Sequence, residues 1–176
     1  MNGFDVYYTN VEFAGSVALR ARQLSEQINE ILNQDNAEKV HIIAHSMGGL
    51  DARHMIVDRD GMAGKVASLT TIGTPHLGTS FADIGITLGG RLVIDSLSSI
   101  LDLKGFDDLT IKSCDDFNRR AEAQEADNDV VYRTCASSEK RDHVFLPLQP
   151  SWFFINEKEG ENDGLVSVKS QRWKKN

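Results

Sequence analysis

Hydrophobic positions along the chain alternate between short continuous runs and spaced stripes. Residues 4–11, Phe-Asp-Val-Tyr-Tyr-Thr-Asn-Val, are rich in aromatic and β-branched side chains, which predicts a first, largely buried strand. From Ser16 the apolar positions become Val17, Ala21, Leu24, Ile28, Ile31 and Leu32, a spacing that lays one stripe along a helix until Asn33-Gln34-Asp35-Asn36 ends it. Val40 to Ala44 reads as a short strand, Leu50 to Val57 as a helix, Val66 to Ile72 and Val130 to Ala136 as two more strands. Strands alternating with helices predict an α/β protein whose mainly parallel sheet is flanked by helices and buried on both faces.

Residues 79–128 interrupt that alternation. Within them Leu92, Val93, Leu97, Ile100 and Leu101 share one helical face, and Asp95, Ser96, Ser98, Ser99 and Asp102 take the other. Such an insert is either a surface helix packed on the core or a movable lid. The whole chain, 1–176, reads as one domain carrying this insertion.

Charge and composition remove some function classes. The formal charge is −7 and the basic residues are scattered apart from Lys174 and Lys175, which argues against a nucleic-acid partner. No apolar stretch approaches the ~18 residues of a membrane span, and the amino-terminal residues lack the basic and apolar regions of a signal peptide. Compartment and oligomeric state are not legible. Cys114 and Cys135 match no metal spacing and fit either one disulfide or two thiols.

Candidate chemistry centres on Ala44-His45-Ser46-Met47-Gly48-Gly49. A strand followed by small-x-Ser-x-Gly and a helix is the form of a nucleophile elbow. Ser46 then sits in a tight turn, with small residues at Ala44 and Gly48 letting strand and helix approach, and the Met47 N–H aimed to hold an oxyanion. A serine capping a helix would leave the same local pattern.

A resemblance adds to this. Arg20-Ala21-Arg22-Gln23-Leu24, the elbow with Leu50, Thr71-Ile72-Gly73-Thr74-Pro75-His76, Phe81-Ala82-Asp83 and Asn162-Asp163-Gly164-Leu165-Val166-Ser167 together resemble the α/β-hydrolase serine lipases of the bacterial triacylglycerol lipase type. The resemblance implies an α/β-hydrolase fold, lid helices in the 79–128 insert, Ser46 as nucleophile, Met47 N–H as oxyanion donor and Asp163 as the acid that orients a histidine. Asn-Asp-Gly is also good turn chemistry, which by itself favours a solvated turn.

The same resemblance exposes what is missing. The family order is Ser, Asp, His, yet no histidine follows Asp163 before Asn176. Of the five present, His41 on its strand and His45 in the elbow are expected to be packed and hydrogen-bonded. His54 lies down the following helix, and His76 matches a structural position. His143 alone is unconstrained, as a weak candidate for the base. An early central strand with its oxyanion loop and the C-terminal strand with its histidine are also expected to be absent, as in a truncated piece of a lipase. The implied activity is hydrolysis of acyl esters such as triacylglycerols through an acyl-enzyme, with a lipid or other acyl ester substrate and contact at a lipid interface. The alternatives are an inactive lipase-like remnant that binds acyl chains or a partner, and an acyltransferase of the same fold. No cofactor is expected. A structural calcium belongs to the family, but Asp142 is the only nameable ligand here, so no metal is assigned.

Overall fold

A computed structural model describes residues 3, 5–13, 15–87 and 105–173. Its elements run α1 (Val17–Asp35), β1 (Val40–His45), α2 (Met47–Asp58), β2 (Val66–Ile72), α3 (Ser80–Thr87), α4 (Ile111–Ala126), β3 (Val131–Cys135), α5 (Gln149–Glu159) and α6 (Val168–Gln171). The strands form a parallel sheet in the order β1-β2-β3. α1 starts where Ser16 Oγ accepts the Leu19 N–H and stops at Asn36, which turns left-handed at φ 51°.

One face of the sheet carries the core. Ile42, Ala44, Leu69 and Tyr132 pack on Ala21, Leu24, Ile28 and Leu32 of α1 and on Ala52, Met55 and Ile56 of α2. Registered on the other face are Ile43, Ile72, Val131 and Cys135, all exposed, with Ile43 76% accessible. The described helices therefore cover one face where the periodicity predicted two. β1 and β3 accordingly alternate along their length instead of reading as fully buried strands.

The expected first strand does not form among the described residues 5–12, and Tyr8 is 95% exposed. Aromatic and β-branched composition suits a pleated surface, but a strand also needs a neighbour for its backbone groups. None is beside this segment, and side-chain amides of α1 take that role. The Asn10 N–H donates to Gln27 Oε1 at 2.9 Å while Gln27 Nε2 donates back to Asn10 O at 2.8 Å. Gln23 Oε1 accepts the Glu12 N–H in the same way.

Within the 79–128 insert, the amphipathic stretch 92–102 lies outside the described residues. Its C-terminal part, α4, packs Cys114, Phe117, Ala121 and Glu125 inward. Arg53 of α2 meets Glu125 there in an ion pair of 2.9 Å with both side chains inaccessible. The guanidinium also lies 3.6 Å from the Trp173 ring centroid and 4.8 Å from that of Phe117. Both cysteines are free thiols, Cys114 buried and Cys135 exposed. No described helix is long and apolar enough to cross a membrane.

Glu125→Gln should leave the Arg53 cation buried without its counter-charge and cost about 3–5 kcal/mol in a urea titration, as for other broken buried pairs. A loss below about 1 kcal/mol would mean that the aromatic faces suffice to hold the cation.

Candidate active site at the strand ends

Ser46 connects β1 to α2 with φ 52° and ψ −132°, a conformation rare for a side-chain-bearing residue. Three contacts hold it there. Its N–H donates to Ile72 O at 2.9 Å, continuing the sheet ladder beyond β1; Thr74 Oγ1 donates to Ser46 O at 2.8 Å, and the Gly49 N–H donates to the same oxygen at 3.0 Å. Helix α2 begins at once with Met47, earlier than the predicted Leu50. The Met47 N–H is thus the first amide of a twelve-residue helix and has no intrahelical acceptor.

The close approach of strand and helix falls one residue later than the spacing predicts. A Cβ added to Gly48 would meet only the Ala44 methyl at 4.0 Å, ordinary contact. The close approach falls at Gly49, where a Cβ would run into Thr74 Oγ1 and lie 2.9 Å from Thr71 Cγ2. It is the packing of α2 against the 71–74 segment that demands glycine.

That segment explains the Thr-Pro-His motif. His76 is fully buried, with Nε2 2.8 Å from Thr71 Oγ1 and Nδ1 3.3 Å from an Arg53 Nη1. Since guanidinium can only donate, Nδ1 accepts and Nε2 carries the proton. Burial and the neighbouring Arg53 hold its pKa well below the ordinary histidine value, so it stays neutral. Asn118 Nδ2 donates to His76 O at 2.9 Å, and Ser170 O accepts the His76 N–H at 3.1 Å.

Asp163 lies at the same end of the sheet. Its Oδ1 accepts the N–H groups of Leu165 and Val166 at 3.0 and 2.9 Å, an Asx turn as the local sequence suggested. Oδ2 accepts Gln171 Nε2 at 3.2 Å and lies 3.6 Å from where a Gly73 Cβ would stand. Gln171, buried, also exchanges hydrogen bonds with both backbone groups of Ser137 just past β3. This glutamine gave no signal in the sequence.

The histidines are disposed differently from expectation. His41, expected in a buried strand, is exposed on the open sheet face with Nδ1 2.8 Å from Ser68 Oγ. His45, expected to be packed, is exposed and makes no hydrogen bond among the described residues. β1 being an edge strand with one open face accounts for both. His54 stacks on Phe117 at 3.7 Å and pairs with Asp58; burial pushes it down to about 4. His143 is exposed in a short turn, Arg141–His143, with Nδ1 3.3 Å from Glu139 Oε1.

Behind the elbow Arg20 forks onto Asp51 of α2, with Nε 3.1 Å from Oδ1 and Nη2 2.8 Å from Oδ2, while its Nη1 donates to the carbonyls of Glu12 and Phe13. Burial pushes the Asp51 carboxyl up to about 6 against the opposing pull of Arg20. Asp142 stands in the Arg141–His143 turn, and no three His, Cys, Asp or Glu side chains converge on a metal-sized space among the described residues. A cavity of about 760 Å³ between α3, α4, α5 and α6 is lined by Leu77, Asn118, Lys158 and Ser170 among others, and neither Ser46 nor Asp163 lines it.

Comparison with known proteins gives a consistent picture. A family model described as a PGAP1-like alpha/beta domain matches residues 5–87. Triacylglycerol lipase 2 of Saccharomyces cerevisiae is 32% identical over 177 aligned residues, covering 97% of this chain and 53% of the yeast protein. A triacylglycerol lipase of Vibrio cholerae is 36% identical over 113, covering 55% of this chain and 35% of its own length. The chain thus spans about half the length of the yeast relative it matches. Among solved structures, mature lipase BlEst2 of Bacillus licheniformis superposes with TM-score 0.73 at 21% identity, covering 90% of this chain and 62% of that one. Lipase 1 of Pelosinus fermentans gives 0.68 at 19%, covering 97% and 75%.

Two outcomes follow from this geometry. Gly49→Ala should cost about 1–3 kcal/mol by overpacking, while Gly48→Ala is neutral or gains up to about 1 kcal/mol of helix propensity, measured as urea midpoints. As for pH, the folded Asp51 keeps a proton that the unfolded chain releases. Stability linked to it is complete below the ordinary value of 3.8 and lost as pH rises through about 6. The Tm of the parent minus that of Asp51→Asn should fall across this window, and a flat difference would contradict the assignment.

Proposed function

Because the chain belongs to the α/β-hydrolase lipases, we propose that it carries the nucleophile half of a serine ester hydrolase acting on acyl esters such as triacylglycerols. The observation that carries this reading is the Ser46 turn. A strained non-glycine residue between strand and helix, with a free helix-start amide beside it, is what acyl transfer requires. In this scheme Ser46 Oγ attacks the ester carbonyl and a histidine takes its proton. The Met47 N–H holds the oxyanion, and the protonated histidine returns the proton to the leaving alcohol. Asp163 acts through that histidine by fixing its tautomer. Water then releases the acyl group. Residues 79–128 serve as the lid region, bringing the site to a lipid interface.

A second reading, an acyl-binding piece without turnover, draws support from one feature. No histidine hydrogen-bonds Ser46 or Asp163 among the described residues. A fluorophosphonate probe separates the two. Intact-mass and peptide analysis should find one adduct, on Ser46, absent from Ser46→Ala; a folded sample that stays unlabelled would leave only the second reading.

A further inference from the structure

Asp163 is half-buried and makes no ion pair among the described residues; the groups that hold it are all neutral donors. Its Oδ1 is fixed within its own turn, by the Leu165 and Val166 N–H groups. A carboxylate held through one oxygen still pivots, and the other oxygen, Oδ2, is the one that stands beside Gly73 at the end of β2. Gln171 restrains that pivot.

The orientation of the Gln171 amide is determined by its partners. The Ser137 N–H can only donate, and it lies 2.8 Å from Oε1, so Nε2 is the atom that faces the 163–166 turn. From there Nε2 reaches Ser137 O and Val166 O at 3.0 Å each and Asp163 Oδ2 at 3.2 Å. The two carbonyls suffice to brace the turn against the end of β3. The third contact is additional, and it falls on the carboxylate oxygen that faces the site. Gln171 is only 1% accessible, so solvent does not compete for these bonds. Ser170, the residue before it, accepts the His76 and Leu77 N–H groups, so one short helix grips both the Asp163 turn and the loop that bears Thr74.

We infer that Gln171 is a positioning residue of the Ser46 site, its side-chain amide holding Asp163 Oδ2 toward Gly73 so that the oxygen can receive an imidazole N–H. This inference rests on the reading of Ser46 as the nucleophile and of Asp163 as the acid that acts through a histidine. Gln171 touches no reacting atom. Its effect passes through the carboxylate, which distinguishes it from a residue that only packs.

A double-mutant cycle makes that distinction. Fluorophosphonate labelling rates of Ser46 are compared in the full chain for parent, Gln171→Met, Gln171→Glu, Asp163→Asn and the combined Gln171→Met/Asp163→Asn, each checked for folding by its thermal transition. Asp163→Asn should slow labelling at least about 100-fold. Gln171→Met, which keeps the length of the side chain, should slow it about 10-fold, the weight of one ordinary hydrogen bond. Gln171→Glu keeps an acceptor for Ser137 but sets a second carboxylate against Asp163, and should lose more. In the Asp163→Asn background the Met substitution should change the rate by less than about 2-fold, because the group it acts through is gone. Equal losses in both backgrounds would reveal a packing role and overturn the inference, as would a folded Gln171→Met that labels at the parental rate. If Gln171→Met does not fold, Gln171→Glu takes its place in the cycle under the same criteria. Asp163→Asn labelling at the parental rate would overturn the acid reading and this inference with it, leaving Ser46 as the nucleophile. A folded parent that does not label at all would overturn the nucleophile reading as well.

Discussion

A serine held at φ 52° persists only if its surroundings leave it no alternative, and here they meet at one oxygen and one amide. Ser46 O is bonded by Thr74 Oγ1 and the Gly49 N–H, and Ser46 N–H is taken by Ile72 O. The pairing of β1 with β2 is therefore not separable from the turn, since the last rung of that ladder is the serine's own amide. The short contact of Gly49 with Thr71 and Thr74 brings α2 down onto the same segment. Strand, helix and loop are each placed by the need to close this turn. The packing of α1 and α2 on one sheet face supplies the apolar burial that offsets its strain.

The second constraint comes from the sheet. Among the described residues, a three-stranded parallel sheet with helices on one face leaves Ile43, Ile72 and Val131 exposed and β1 with an unpaired edge. The segment before α1 does not repair that edge; it is tied instead to α1 by Gln23 and Gln27 and to α2 through the Arg20–Asp51 fork. Arg20 reaches three partners at once because a planar guanidinium offers donors in several directions, so one side chain fixes both the loop and the helix.

Much of this was legible in the sequence where one physical preference dominated. Helix α1 and strand β2 follow from periodicity, and the elbow from the abrupt change between apolar strand and small residues. Positions 4–11 misled because composition reports suitability for a pleated surface and says nothing about whether a neighbouring strand exists. His41 and His45 misled for the same reason, since an apolar run predicts a buried strand only when both faces are covered. Gln171 and the Arg53–Glu125 pair were invisible. Each is defined by at least one partner more than thirty residues away, and neither a lone glutamine nor an arginine within a helix carries a local signature.

The loop from Gly73 to Gly78 links these observations. Thr74 secures the Ser46 turn, and His76 is braced from below by Thr71 and Arg53. The His76 and Leu77 amides are received by Ser170 of α6. That helix also bears Gln171, which holds Asp163. Ser46 and Asp163 are thus fixed to the two sides of one strut that is itself anchored in the buried Arg53 cluster. Because His76 is neutral and fully bonded, its contribution is rigidity. An arrangement that holds a serine and a carboxylate at one end of a sheet through a shared buried brace favours positional precision over adaptability.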